Sequence, residues 1–244
     1  MIKALPTAGA AVLGTALSLA LCGAAAQAAP IVWNAATTIS GDSDVSTDGT
    51  LVNAVNLGAT GVAATTVNGV LFNPLVMTGT SVSSGNFTFA IPTMFSAFNG
   101  AGAPNPPFST LSASYKALLS TIAGDFTTPF TLTMSGLTVG DSYEVELWSN
   151  NSNGFPNQQL TLTSGNALVL NSNLSDVVGG LGQFGIGMFT ADAASEVITF
   201  STGGQSFLSG VELRSVPVPE PASLALLGSG LLALGLLRRR RHGM

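Results

Sequence analysis

From residue 30 to residue 216, apolar side chains come in short runs that alternate with Ser, Thr, Asn and Asp, and Gly-rich clusters separate one run from the next. In an extended chain, strict alternation sends one set of side chains to a single face. Residues 130–134 follow this rule, with Phe, Leu and Met set against Thr. Residues 142–148 place Tyr143, Val145 and Leu147 on one face and Glu144, Glu146 and Trp148 on the other, and the second face is expected to meet solvent. Further strands are predicted over 31–34, 51–56, 67–72, 159–163, 167–170, 183–190, 196–201 and 206–213, with a hairpin over 81–90 that turns at Gly85-Asn86. About ten short strands with frequent turn residues predict an all-β fold, a two-layer antiparallel β-sandwich.

One segment has a different period. Over residues 110–123, Leu111, Tyr115, Leu118, Leu119 and Ile122 recur at helical spacing, and Gly124 follows as a C-terminal stop. This predicts a short amphipathic helix capping an end of the sandwich. The preceding residues 101–108 hold Pro104, Pro106 and Pro107 and read as a loop.

The two ends of the chain depart from the alternating pattern altogether. At the start, Lys3 precedes an apolar run over 8–21 and then an Ala-rich stretch. That is the layout of a secretory signal peptide, residues 1–28, with Ala26 and Ala28 as the small residues before the cut. It implies the Sec machinery and signal peptidase as partners. Cys22 follows Leu21, where a lipoprotein signal would carry a small residue. At the other end, a linker over 216–221 contains Pro219, Glu220 and Pro221, an apolar stretch fills 222–237, and the basic tail 238–244 opens with Arg238, Arg239, Arg240 and Arg241. As a helix, 222–237 would reach about 24 Å at roughly 1.5 Å per residue, somewhat short of a bilayer core, and arginine snorkelling offsets part of the deficit. The arginines keep their end cytoplasmic and put everything before them outside.

Motif, apolar span and basic end in this order resemble the PEP-CTERM sorting signal of exported bacterial proteins. The resemblance implies recognition by an exosortase, a membrane transpeptidase-like processing enzyme, with cleavage near the motif. Residues 136–214, with Gly136-Leu137-Thr138-Val139-Gly140-Asp141 as a turn, also resemble jelly-roll domains of the galactose-binding-like group. That likeness implies two packed sheets and a rim able to face carbohydrate.

Composition narrows what the body, residues 29–215, can do. It holds Lys116 and Arg214 as its only cations against eleven acids, a formal net charge of −9, and has neither cysteine nor histidine. Disulfides, Cys/His metal sites and histidine-based triads are therefore excluded within it. Binding to nucleic acid phosphates is excluded by charge.

Three groups of residues could carry chemistry. Asp42, Asp44 and Asp48 bring three carboxylates to one turn, a potential structural calcium site, although neither an acid at the fifth position nor Glu at the twelfth completes an EF-hand loop. They serve equally as turn residues that cap backbone amides. Trp148, Asn150, Asn151, Asn153 and Phe155 place amides between two aromatics, the pairing a sugar site uses. Glu144 and Glu146 lie on one strand face at about 6–7 Å, a spacing near that of glycosidase acids, but without basic or aromatic enclosure they read as a solvated face. The sequence thus predicts a non-catalytic surface or extracellular-matrix protein, with a carbohydrate-binding module for exopolysaccharide as the alternative and a glycan-active enzyme as the weakest reading. Intact mass of the protein from hosts with and without an exosortase tests the sorting signal. Residues 219–244 should be missing only where the enzyme is present, and retention in both hosts would leave a plain membrane anchor.

Overall fold

The computed structural model describes residues 30–156, 158–202 and 206–217, so the expected signal helix and transmembrane helix lie outside the described residues. Within them the alternating runs form sheets. The larger sheet has eight strands, in the spatial order Val32–Trp33, Gln183–Thr190, Ser142–Ser149, Gly210–Val216, Thr50–Gly58, Val70–Val76 and Thr65–Val67, with Thr37–Thr38 also paired to Gln183–Thr190. A six-stranded sheet runs Leu168–Asn171, Gln159–Leu162, Ser195–Thr202, Phe130–Ser135, Phe87–Ala90 and Ser81–Ser84. The two-layer sandwich is therefore present, and its pairings are antiparallel apart from Thr50–Gly58 against Val70–Val76, which is parallel.

The facing sides of the two sheets share one apolar core. Val145, Leu147, Val211 and Leu213 of the first sheet meet Phe87, Phe89, Leu132 and Leu160 of the second. Within the second sheet, Phe130 and Phe200 stack at 4.6 Å between ring centroids. Each alternating run contributes its apolar set to this core, which is why the period of two was informative.

Three details differ from the sequence expectation. The helix spans Ala113–Leu119 and ends at Ser120, whose N–H donates to Lys116 O; Gly124 instead lies in the strand Ile122–Asp125. That strand pairs with Ser96–Phe98 and Ser206–Leu208 in a third, three-stranded sheet. The predicted 206–213 strand is accordingly divided at Ser209 between two sheets.

The helix also sits on a face of the sandwich and not at an end. Tyr115, Leu118 and Leu119 pack with Ile39 and Val45 over Ala54, Phe72, Trp148 and Phe184, so the larger sheet is buried on both sides. Gly210 permits this approach, since a Cβ there would come within 2.7 Å of Leu118 Cδ1. Trp148 is fully buried and meets Phe72 edge to face at 5.4 Å. The expected exposure of the Glu144, Glu146 and Trp148 face is thus overturned by the second layer. Truncation Trp148→Ala should cost about 3–5 kcal/mol of stability through lost burial and a cavity. Chemical denaturation measures this, and a change below 1 kcal/mol, roughly a surface substitution's effect, would contradict the packing.

Candidate functional site

An uncharged aromatic and amide cleft opens at one end of the sandwich. It encloses about 620 Å³ between the third sheet and the 151–155 loop. Phe98 from Ser96–Phe98, Phe126 just after Ile122–Asp125 and Phe207 from Ser206–Leu208 converge on it. Their rings meet edge to face at 5.4–6.4 Å, the arrangement that aromatic quadrupoles favour. Phe207 is buried and anchors the group, while Phe98 and Phe126 stay 44% and 43% exposed. Phe155 stands across the opening at 47% exposure.

Amides hold the walls. Asn99 donates to Ala59 O and Thr60 O and accepts from Ala59 N–H at 2.8 Å. Asn153 donates to Gly100 O at 2.8 Å, and its own N–H reaches Asn151 Oδ1 at 3.3 Å. Most of the amide capacity is spent on the backbone, and Asn153 Oδ1 faces no donor among the described residues. Among the described residues, no charged side chain lines the cleft. Asp125, next to Phe126, accepts from the N–H groups of Thr127 and Thr128, which outweigh partial burial and hold its carboxyl below the usual range.

The sequence-predicted sugar residues therefore divide. Asn151, Asn153 and Phe155 line the cleft. Trp148 is buried in the outer core, and Asn150 turns inward, donating to Leu119 O at 3.1 Å and accepting from Gly182 N–H at 3.0 Å. Phe98, Phe126 and Phe207 carried no local signal, since three separate segments supply them.

The aspartates tie a loop down. Asp42–Asp44 forms a 3-10 turn in which the Asp44 carboxylate accepts from Ser40 N–H, Ser40 Oγ, Gly41 N–H and the Tyr115 hydroxyl. Asp42 accepts from Ser112 Oγ at 2.6 Å, at the start of the helix, and Asp48 offers its carbonyl to Arg214 Nε. Among the described residues, no three Asp or Glu side chains converge on a point a metal could occupy.

This loop roofs an acidic group. Glu146 and Glu212 lie directly opposite each other on adjacent strands, and Glu144 lies opposite Arg214. All four are buried. Arg214 donates to Glu212 and to Ser46 O, and Ser46 N–H donates to Glu146 at 3.0 Å. One oxygen of each glutamate has no hydrogen-bond partner among the described residues. Glu144 and Glu146 are accordingly neither a solvated face nor an open catalytic pair.

Burial pushes the Glu146 carboxyl well above its ordinary value, assisted by Glu212, Glu144 and Asp44 and opposed by Ser46 N–H. Burial likewise lifts Glu212 to about 7 in spite of Arg214. From an ordinary 4.5 to about 7, the shift corresponds to on the order of 3 kcal/mol favouring the protonated form in the fold. The folded state therefore holds protons that the unfolded chain releases near pH 4.5, so this stability is complete below that pH and is lost as pH rises through 7. Melting temperature should fall from pH 5 to pH 8, and Glu146→Gln should flatten that slope. An equally steep slope in the variant would show that Glu146 is ionised in the fold.

Comparison with known proteins gives three results. Residues 217–241 match the PEP-CTERM protein-sorting motif. No curated protein matches the sequence. Among solved structures, β-glucuronidase 2 of Bacteroides uniformis, covalently bound to cyclophellitol-6-carboxylate aziridine, is 17% identical with a TM-score of 0.41 over 68% of this chain and 18% of that one. The exo-β-1,3-galactanase of Phanerochaete chrysosporium with β-1,3-galactotriose is 16% identical with a TM-score of 0.27 over 59% and 30%. The chain spans less than a third of either enzyme's length. Its PEP-CTERM motif marks it as an exported protein sorted by an exosortase, with a membrane-anchored sorting signal.

Proposed function

We propose that the exported body is a non-catalytic cell-surface or matrix protein that binds an uncharged extracellular polysaccharide in the Phe98, Phe126 and Phe155 cleft. The observation that carries this reading is an open cleft walled by half-exposed phenylalanines and amides and, among the described residues, free of charged side chains. Phenyl faces suit the C–H surface of a sugar, and amide and backbone groups suit its hydroxyls. The sorting signal supports the reading by delivering the body to where such polymers lie.

Electrostatics select among polymers. A uronate or sulfate entering the cleft would lose hydration and find no counter-charge there, which costs several kcal/mol, roughly, for an unpaired ion. Ionised Asp125 beside Phe126 adds repulsion. Arg214 is buried, and Lys116 donates to Ser109 O. The same inventory supports the non-catalytic reading. Among the described residues the cleft lining has no acid, and the buried Glu146 and Glu212 lie beneath the 40–49 loop.

A panel of neutral and uronate polysaccharides tests this directly. The body should retain neutral polymers and ignore polyuronates. Phe126→Ala or Phe155→Ala should weaken binding by about three- to tenfold, the loss of roughly 0.5–1.5 kcal/mol per stacked ring. Preference for polyuronates, or neutral binding untouched by both substitutions, would reject the cleft as the site.

A further inference from the structure

The strand that ends at the sorting tail crosses the sandwich from the cleft to the opposite end. Gly210 pairs with Trp148 on one side and Asn56 on the other, and Ser149 Oγ donates to Phe207 O at 2.7 Å. The beginning of Gly210–Val216 therefore lies beside the cleft. At the other end, Val216 pairs with Ser142 and Ser215 with Thr50. Six residue steps at about 3.3 Å each separate the two ends by about 20 Å. Pro217 is exposed and continues directly into the tail.

Residues 217–221 are the whole connection between this strand and the apolar stretch 222–237. Fully extended, the six residue steps from Val216 to Ala222 span about 20–22 Å at most. While the tail is in the bilayer, the Val216 end is held close to the surface. Val139, Asp141 and Asp192 belong to this end, through the Gly140 N–H bond to Ala191 O and the Ser142–Thr190 pairing.

Charge opposes a body lying on its side. A protein lies against an anionic lipid surface through clustered Lys and Arg. Here the net charge of residues 29–215 is −9, with Arg214 buried and Lys116 already engaged.

We infer that the tail-anchored protein stands with its aromatic cleft at the membrane-distal end, presented to extracellular polymer before the tail is removed. The choice of polymer as partner rests on the function proposed above; the orientation rests only on strand register, tether length and charge.

The full chain in a Cys22→Ser background has no native cysteine, so single labels are unambiguous. Reconstituted in vesicles of mixed zwitterionic and anionic lipid with a headgroup energy-transfer acceptor, a donor at Val139→Cys should transfer strongly and one at Phe155→Cys weakly. Asp141→Cys and Leu174→Cys, the latter next to Asn173, whose side chain donates to Asn151 O in the cleft wall, form a second exposed pair with the same expectation. Equal transfer from both ends, or stronger transfer from the cleft end, would overturn the inference. Because no glycan is present, this readout is separate from the binding test. Neutral polymer should then bind the anchored chain within about twofold of the free body, and a tenfold loss, about 1.4 kcal/mol, would mean the cleft is obstructed at the membrane.

Discussion

Two-sided burial of the strand Ser142–Ser149 is the constraint on which the rest of the structure depends. Its odd-numbered apolar residues fill the core between the sheets, and its even-numbered ones lie under the helix Ala113–Leu119 and the 39–49 segment. Trp148 closes against Phe72, and the next residues leave the sheet to form one wall of the cleft. The outer layer that buries Trp148 also buries Glu144, Glu146 and Glu212. In a low-dielectric site three carboxylates with one arginine cannot all stay charged cheaply, so protonation relieves part of the cost. The pH dependence expected of the body is a consequence of how its sheet is covered.

With no cysteine in the body, the loops are held by other means, and asparagine supplies much of it. Asn166 accepts from Trp33 N–H at 2.7 Å and donates to Trp33 O at 3.1 Å, completing a two-bond ladder that a strand would otherwise provide. Asn150 joins the helix end to Gly182, Asn173 joins Asn151 O to Val177 O, and Asn99 closes the turn at Ala59. Each side chain satisfies at least one backbone group more than 20 residues away in sequence. The asparagine-rich segment after Trp148 is therefore chiefly architectural, and only the part that reaches the cleft is left for the proposed ligand contact.

The alternating pattern was enough to read the sandwich, because period two and burial coincide in runs such as Phe130–Ser135. It could not say what covered the polar face of Ser142–Ser149. Alternation groups Glu144, Glu146 and Trp148 together, but the helix that covers them lies some thirty residues earlier, and two charges in three positions resemble a solvated face. The helix end is hidden in the sequence for a related reason. Ile122 continues the helical spacing, yet its side chain packs with Phe207 and Ala101, and the chain extends into a strand to put it there. Of the cleft, only Asn151, Asn153 and Phe155 formed a local cluster. Phe98, Phe126 and Phe207 meet through a third sheet that sequence spacing does not reveal.

The position of the last strand ties folding to export. Gly210–Val216 lies between Ser142–Ser149 and Thr50–Gly58, so it completes the interior of the larger sheet and does not merely extend its edge. Until those residues are available, both neighbours present unpaired backbone and the core lacks Val211 and Leu213. The sandwich can therefore close only after nearly all of the body has crossed the membrane, when the apolar stretch follows a few residues behind. Pro217 and Pro219 suit this boundary, because proline donates no ladder hydrogen bond and stops the strand from running into the tail. Processing beyond Val216 leaves every ladder bond of that strand intact, whereas a cut within it would open the centre of the sheet. The sorting signal is thus joined to the fold at the point where removing it costs the body nothing.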